Sequence, residues 1–273
     1  MPMIPMSVKI GFIGAGNMAS AMIGGIITSG LYTKDEVVAC APSASTRDKV
    51  SAKYGIKVYG TAAEVVRLAD FIVLSVKPNQ LQDLFAEEGL KFNSSHLIMS
   101  IVAGVKISTL ETYVPDCKIV RVMPNHCCLV GEGAAGYSRG IRATNEDMER
   151  VRGVLSSSGM AEEVKESDLD AVTGIAGSST AFMYMVIDAM ADGGVLCGLT
   201  REKAIRLAAQ SMLGSAKMVL ETGEHPDKLK DSVCSPGGTT IEGVRVLEDS
   251  CVRAAFIAAV EASTIKSREM GRM

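Results

Sequence analysis

The sequence predicts an α/β protein, with a doubly wound sheet in the N-terminal half and an all-helical C-terminal half. Three observations carry that prediction. Short apolar runs alternate with helical stretches through the first part of the chain. A glycine-rich turn joins the first run to the first helical stretch. After residue 166 strand signals vanish and three long helical segments follow. The change of texture divides the chain into 7–165 and 166–273.

The elements follow in order. Ser7 to Ile13 is apolar and runs into Gly14-Ala15-Gly16. Asn17 to Ser29 has helical character and stops at Gly30, a helix-stop residue. Val37 to Ala41 is a second apolar run, closed by Pro42. Asp48 to Tyr54 is helical up to Gly55, with a weaker strand at Ile56–Tyr59. Phe71 to Val76, Leu97 to Val102 and Lys118 to Met123 complete the series. Short apolar runs without alternation, bounded by breakers, suit parallel strands covered on both faces. Strand and helix in alternation give a doubly wound sheet. The later helical segments are Ser178–Cys197, Arg201–Glu221 and Thr239–Arg268. The first is apolar on more than one face, as in a buried helix. So short a helical half has little volume in which to bury all three, so apolar surface is expected to meet another subunit.

Composition excludes several classes. The chain has 273 residues, with 28 Lys+Arg against 31 Asp+Glu. A slightly acidic balance argues against a nucleic-acid binder. Apolar residues make up 47% and charged residues 22%, which argues against disorder. No apolar run is long enough for a transmembrane helix, and no membrane partner is expected. Met-Pro-Met-Ile-Pro-Met lacks a signal peptide's basic and apolar regions and reads as a short disordered lead-in. The seven cysteines (Cys40, Cys117, Cys127, Cys128, Cys197, Cys234, Cys251) are odd in number. Free thiols in a reducing, cytoplasmic setting are expected. His126-Cys127-Cys128 is the one metal-like cluster. Adjacent residues point apart and no second ligand group stands out, so no metal is expected.

Gly14-Ala15-Gly16-Asn17-Met18-Ala19 has the form G-x-G-x-x-A, between a predicted strand and a predicted helix. The first glycine permits the turn, the second lets backbone approach a pyrophosphate, and the small third residue lets helix and sheet pack closely. The helix N-terminus offers its amides to the phosphates. In that setting the motif predicts a Rossmann-like dinucleotide site. The second strand ends Cys40-Ala41-Pro42-Ser43 with no acid for a ribose 2′-hydroxyl. Ser43, Ser45, Thr46 and Arg47 suit a 2′-phosphate instead. NADPH is therefore the expected cofactor, with NADH as a second donor. A solvated helix residue is the alternative for Arg47. Lys77, in Ser75-Val76-Lys77-Pro78, stands at a strand's carboxyl end, where ligands dock on such sheets.

Leu229-Lys230-Asp231-Ser232-Val233-Cys234-Ser235-Pro236-Gly237-Gly238-Thr239-Thr240 introduces the last helix. The amides of Gly238, Thr239 and Thr240, with the Ser235 hydroxyl, form a cradle for a small carboxylate. Helix capping by Thr239 is the alternative.

These residues carry a resemblance. The sequence resembles the Δ1-pyrroline-5-carboxylate reductase family from Ile10 to Met270, through Gly-Phe-Ile-Gly-Ala-Gly-Asn-Met (11–18), Val-Lys-Pro (76–78), Met-Pro-Asn (123–125), Asp-Ala-Val-Thr-Gly (170–174), Asp-Ala-Met-Ala-Asp-Gly-Gly-Val (188–195) and the 229–240 loop. The resemblance implies a Rossmann-like domain, and a helical C-terminal domain that binds substrate and dimerises, the dimers commonly assembling into decamers. It implies reduction of a cyclic imino acid to L-proline with NAD(P)H, the last step of proline biosynthesis. Thr240 would meet the substrate nitrogen as the catalytic residue. Ser235, Gly238, Thr239 and Thr240 would hold the carboxylate, with Glu166 near that pocket. Asn17, Met18, Ser43, Val76, Lys77, Pro78 and Ala103 would contact the cofactor, beside Gly14, Ala15, Gly16 and Arg47 from the motif reading.

There are departures from the family pattern. Gly177-Ser178-Ser179-Thr180-Ala181-Phe182 stands where Gly-Ser-Gly-Pro-Ala-Tyr is usual. His126-Cys127-Cys128 replaces Thr-Pro-Ala, and Ala62 replaces a frequent Asn. A β-hydroxyacid dehydrogenase would need a lysine between Lys165 and Lys203, and none is present. An imine reductase acting on another ring and a non-catalytic nucleotide sensor remain alternatives.

Overall fold

The computed structural model describes residues 8–271. The lead-in expected at 1–6 and the start of the first strand at Ser7 lie outside the described residues. Two compact units are present. One runs to Gly177 and takes in the chain from Ser263 onward; the other is Ser178–Ala262.

The first unit is built on one eight-stranded sheet of order β3-β2-β1-β4-β5-β6-β7-β8. The strands are β1 Ile10–Ile13, β2 Val37–Cys40, β3 Lys57–Tyr59, β4 Phe71–Leu74, β5 Leu97–Ser100, β6 Lys118–Met123, β7 Gly133–Arg139 and β8 Gly159–Glu163. The first six pair in parallel. β7 runs antiparallel to β6, and β8 is parallel to β7. The sheet is therefore mostly parallel, and its last two strands lie outside the predicted series.

The helices of this unit are α1 Asn17–Thr28, α2 Ala44–Tyr54, α3 Ala62–Val66, α4 Leu81–Phe85, α5 Ile107–Tyr113, α6 Asn145–Ser156 and α7 Leu169–Val172. Successive strand residues point to opposite faces, and both faces are apolar. Phe12, Phe71 and Val73 pack with Met22, Ile23 and Ile26 of α1 and Val151 and Val154 of α6. Ile13, Ile72 and Leu74 pack with Val65 of α3 and Leu110 of α5. That two-sided burial is why β1, β2, β4 and β5 read as unbroken apolar runs.

The helical unit begins with α8 Ser179–Leu196, followed by α9 Arg201–Thr222, α10 Pro226–Ser232 and α11 Thr239–Asp249. The last helix, α12 Val252–Met270, starts in this unit and ends in the first. The single helix expected from Thr239 to Arg268 is thus two. Ser250 closes α11, and Cys251 adopts the left-handed region at φ 55, which an L-residue enters at a cost of about 1–2 kcal/mol. A π-helical turn, Thr173–Ser178, precedes α8.

Candidate functional site

The glycine turn is held from both sides. Gly14 has φ +97 and donates its N–H to the Cys40 carbonyl at 3.1 Å. A Cβ there would lie 2.7 Å from the Ser75 carbonyl oxygen, so both conformation and space require glycine. The Ser75 hydroxyl donates to the Ile13 and Gly14 carbonyls, each at 2.9 Å. Ala15 and Ala19 are buried between α1 and the sheet. Gly16 caps α1 with extended backbone, and a Cβ there would meet open space. The first-turn amides of α1, from Asn17 and Met18 on, lack intrahelical acceptors and open at the carboxyl end of β1. This arrangement fits a dinucleotide pyrophosphate.

The end of β2 fits a ribose phosphate. α2 begins at Ala44, earlier than predicted, with Ser43 as its cap. The Ser43 and Ser45 hydroxyls are 2.9 Å apart. Arg47 donates through Nη1 to the Ala41 and Pro42 carbonyls at 2.9 and 2.7 Å. The guanidinium, half-buried in the first turn of α2, is anchored on the strand end. Across the switch between β1 and β4, Val76 and Lys77 follow β4. Lys77 caps a short turn over Pro78–Gln80 and donates its N–H to Gln80 Oε1 at 3.1 Å. Ala103 is exposed after β5.

Glu166 stands in the first unit. Its Oε1 accepts the Ile107 N–H at 2.7 Å and Arg121 Nη1 at 3.2 Å. The arginine side chain is 11% exposed and the glutamate 31%. Sequence reasoning missed Arg121, whose link to Glu166 spans 45 residues and leaves no local signal.

Ser235, Gly238, Thr239 and Thr240 stand in the helical unit. Gly237 is left-handed at φ +66. Gly238 donates its N–H to the Ser235 carbonyl at 3.0 Å, and a Cβ on Gly238 would collide with Ser235 Oγ. Gly238, not Thr239, is the N-cap of α11. The Gly238 amide is committed to the turn, which removes one of the expected donors. The amides of Thr239 and Thr240 are the first two of the helix, and both residues are exposed.

The thiols are free. Burial pushes Cys40 and Cys117 up to about 11, so both are protonated at neutral pH. His126–Val130 is a short 3₁₀ turn with Cys128 buried. Among the described residues no helix is long and apolar enough to cross a membrane, and no group of three metal-ligating side chains occurs.

Fold and glycine turn define a dinucleotide-binding α/β protein with an added helical unit. Comparisons with known proteins narrow this. A model described as pyrroline-5-carboxylate reductase dimerisation matches residues 166–270, and one described as NADP oxidoreductase, coenzyme F420-dependent, matches 9–104. The pyrroline-5-carboxylate reductase of Methanosarcina acetivorans is 45% identical over 97% of this chain and 98% of its own. That of Escherichia coli is 44% identical over 98% and 100%. Among solved structures, a pyrroline-5-carboxylate reductase from Coxiella burnetii superposes with TM-score 0.90 at 29% identity, covering 97% of this chain and 99% of that one. The Plasmodium falciparum pyrroline carboxylate reductase with NADP bound gives 0.84 at 35%, covering 97% and 98%. The chain belongs to the pyrroline-5-carboxylate reductase family.

Proposed function

We propose that this protein reduces Δ1-pyrroline-5-carboxylate to L-proline with NADPH, the last step of proline biosynthesis. The observation that carries the reading is full-length identity of 45% to a pyrroline-5-carboxylate reductase, in a chain whose Ser235–Thr240 loop opens α11. The bound dinucleotide supplies the hydride. Gly14, Ala15, Gly16, Asn17 and Met18 would receive the pyrophosphate. Ser43 and Arg47 would hold the 2′-phosphate, which favours NADPH, with NADH as a weaker donor. Val76, Lys77, Pro78 and Ala103 would border the rest of the cofactor.

The Ser235 hydroxyl, the Gly238 turn and the Thr239 amide would hold the substrate carboxylate. Thr240 donates a hydrogen bond from its hydroxyl to the ring nitrogen and keeps its proton. The imine carbon takes the hydride, the C=N π pair passes to nitrogen, and a proton from water completes the amine. Electron density grows on nitrogen as the hydride arrives, so a donor fixed there favours the transition state over the ground state.

Residues 7–165 form the dinucleotide-binding domain in this reading, and 166–273 the helical substrate-binding and dimerisation domain. The working state is a cytoplasmic homodimer, able to build a decamer.

The test is consumption of NADPH with pyrroline-5-carboxylate present and absent. Thr240→Ala should lower kcat by about 10–10³-fold, the scale of losing one preorganised donor. Unchanged turnover would remove Thr240 from the mechanism, and a wild type inert toward this imine would end the proposal.

A further inference from the structure

The turn after β5 connects Ser100 to Ile107, the first residue of α5. It carries Ala103 at the carboxyl edge of the sheet, and Gly104 is left-handed at φ +74. In the strand order β2-β1-β4-β5, this turn lies across the switch point from Arg47. With the 2′-phosphate at Arg47, the reactive half of a dinucleotide falls on the side of β4 and β5. The height of this turn therefore bears on where the hydride donor rests.

Both ends of the turn lead to one side-chain pair. Ser100 is in register with Arg121 on β6. Arg121 meets Glu166 Oε1, and the same oxygen takes the Ile107 N–H. One carboxylate oxygen thus joins the start of α5 to the neighbouring strand. Arg121 is only 11% exposed and Glu166 31%, so the pair is screened less than one between two fully exposed side chains. A cavity of about 320 Å³ bordered by Gly104, Lys106, Arg121, Glu166 and Arg268 lies beside it.

We infer that Glu166 and Arg121 are positioning residues, a clamp that sets the Ala103–Lys106 turn against the reactive half of the dinucleotide. Glu166 acts through Ile107 and Arg121, without touching substrate or cofactor. The inference rests on the proposed reaction for its kinetic part only. Cofactor affinity comes mainly from the phosphates, held by the glycine turn and Arg47. Loosening the clamp should therefore misplace the hydride donor without releasing it.

The experiment compares wild type, Glu166→Ala, Glu166→Gln and Arg121→Met as full-length oligomers. Hydrogen exchange over residues 101–108 is followed without ligand, NADPH binding by its fluorescence, and turnover with pyrroline-5-carboxylate. Glu166→Ala should speed exchange at the Ile107 amide by about tenfold or more, while Gln, which keeps an acceptor oxygen, restores most of the protection. Its kcat should fall by about 10–100-fold, as expected of a displacement near 1 Å, with the NADPH dissociation constant nearly unchanged and a lower melting temperature, because Arg121 is left without its partner. Arg121→Met should behave like Glu166→Ala. Unchanged exchange in Glu166→Ala would overturn the clamp. So would a loss in the KM for the imine alone, which would make Glu166 a substrate contact. Wild type inert toward the imine, with exchange still responding to Glu166→Ala, would strike the proposed reaction and leave the clamp standing.

Discussion

At the scale of single residues, Arg47 separates what a sequence can point to from what only the fold adds. The absence of an acid after β2 and the Ser43-Ala-Ser-Thr-Arg47 run pointed to a phosphate. The structure adds what spacing could not, that Nη1 is anchored on the Ala41 and Pro42 carbonyls. An arginine so fixed loses little freedom when it meets an anion. Arg47→Ala should raise the KM for NADPH by about 10–100-fold, the worth of one or two charge-assisted hydrogen bonds, and leave the KM for NADH almost unmoved. Steady-state kinetics with both donors checks this, and equal losses would place Arg47 outside the 2′-phosphate site. Glu166 is the opposite case. Its number in the chain was legible, but its partners are 59 and 45 positions away, and no local pattern reports contacts made by folding.

At the scale of elements, the legible strands were those buried on both faces, because burial forces unbroken apolar runs. β7 escaped notice because Gly133-Ala-Ala-Gly-Tyr-Ser-Arg139 has no β-branched residue. β8 escaped because Gly-Met-Ala-Glu-Glu is half exposed at the sheet edge. The break between α11 and α12 carries neither glycine nor proline, so no stop signal marked it. The start of α6 is a capping box written plainly in Thr144-Asn-Glu-Asp147. Asp147 Oδ2 accepts from the Thr144 N–H and hydroxyl at 2.9 and 2.8 Å, and Oδ1 meets Lys118 at 3.1 Å. Burial alone would push this carboxyl up, but Thr144 and Lys118 outweigh it and hold it below the usual aspartate range. A carboxylate with a depressed pKa adds stability above its unfolded value of about 4 and loses it as pH falls through the folded one. Asp147→Ala should therefore cost about 2–3 kcal/mol at neutral pH, and the gap to wild type should narrow below about pH 4. Urea melts at two pH values measure it; a constant gap would mean that charge plays no part.

At the scale of the whole molecule, the helical unit is the telling feature. α8 buries only Ala191, α9 only Ala204 and Ala208, and α10 and α11 bury nothing. Met185 is 72% exposed, Leu207 61% and Ile257 70%. Four helices cannot hold a fold on three alanines, and a family model for dimerisation matches residues 166–270, so these faces are expected to pack against another copy of the chain. Leu207→Glu separates the cases. On a free surface it should cost under about 0.5 kcal/mol. In an interface it should give smaller species on size-exclusion with light scattering and a lower melting temperature, which is the outcome expected. A variant that kept the wild-type mass and melting point would put this face in solvent.

The scarcity of interior in that unit also reaches into the life of the polypeptide. A newly made copy that has not yet found a mate displays long greasy helices to chaperones and proteases.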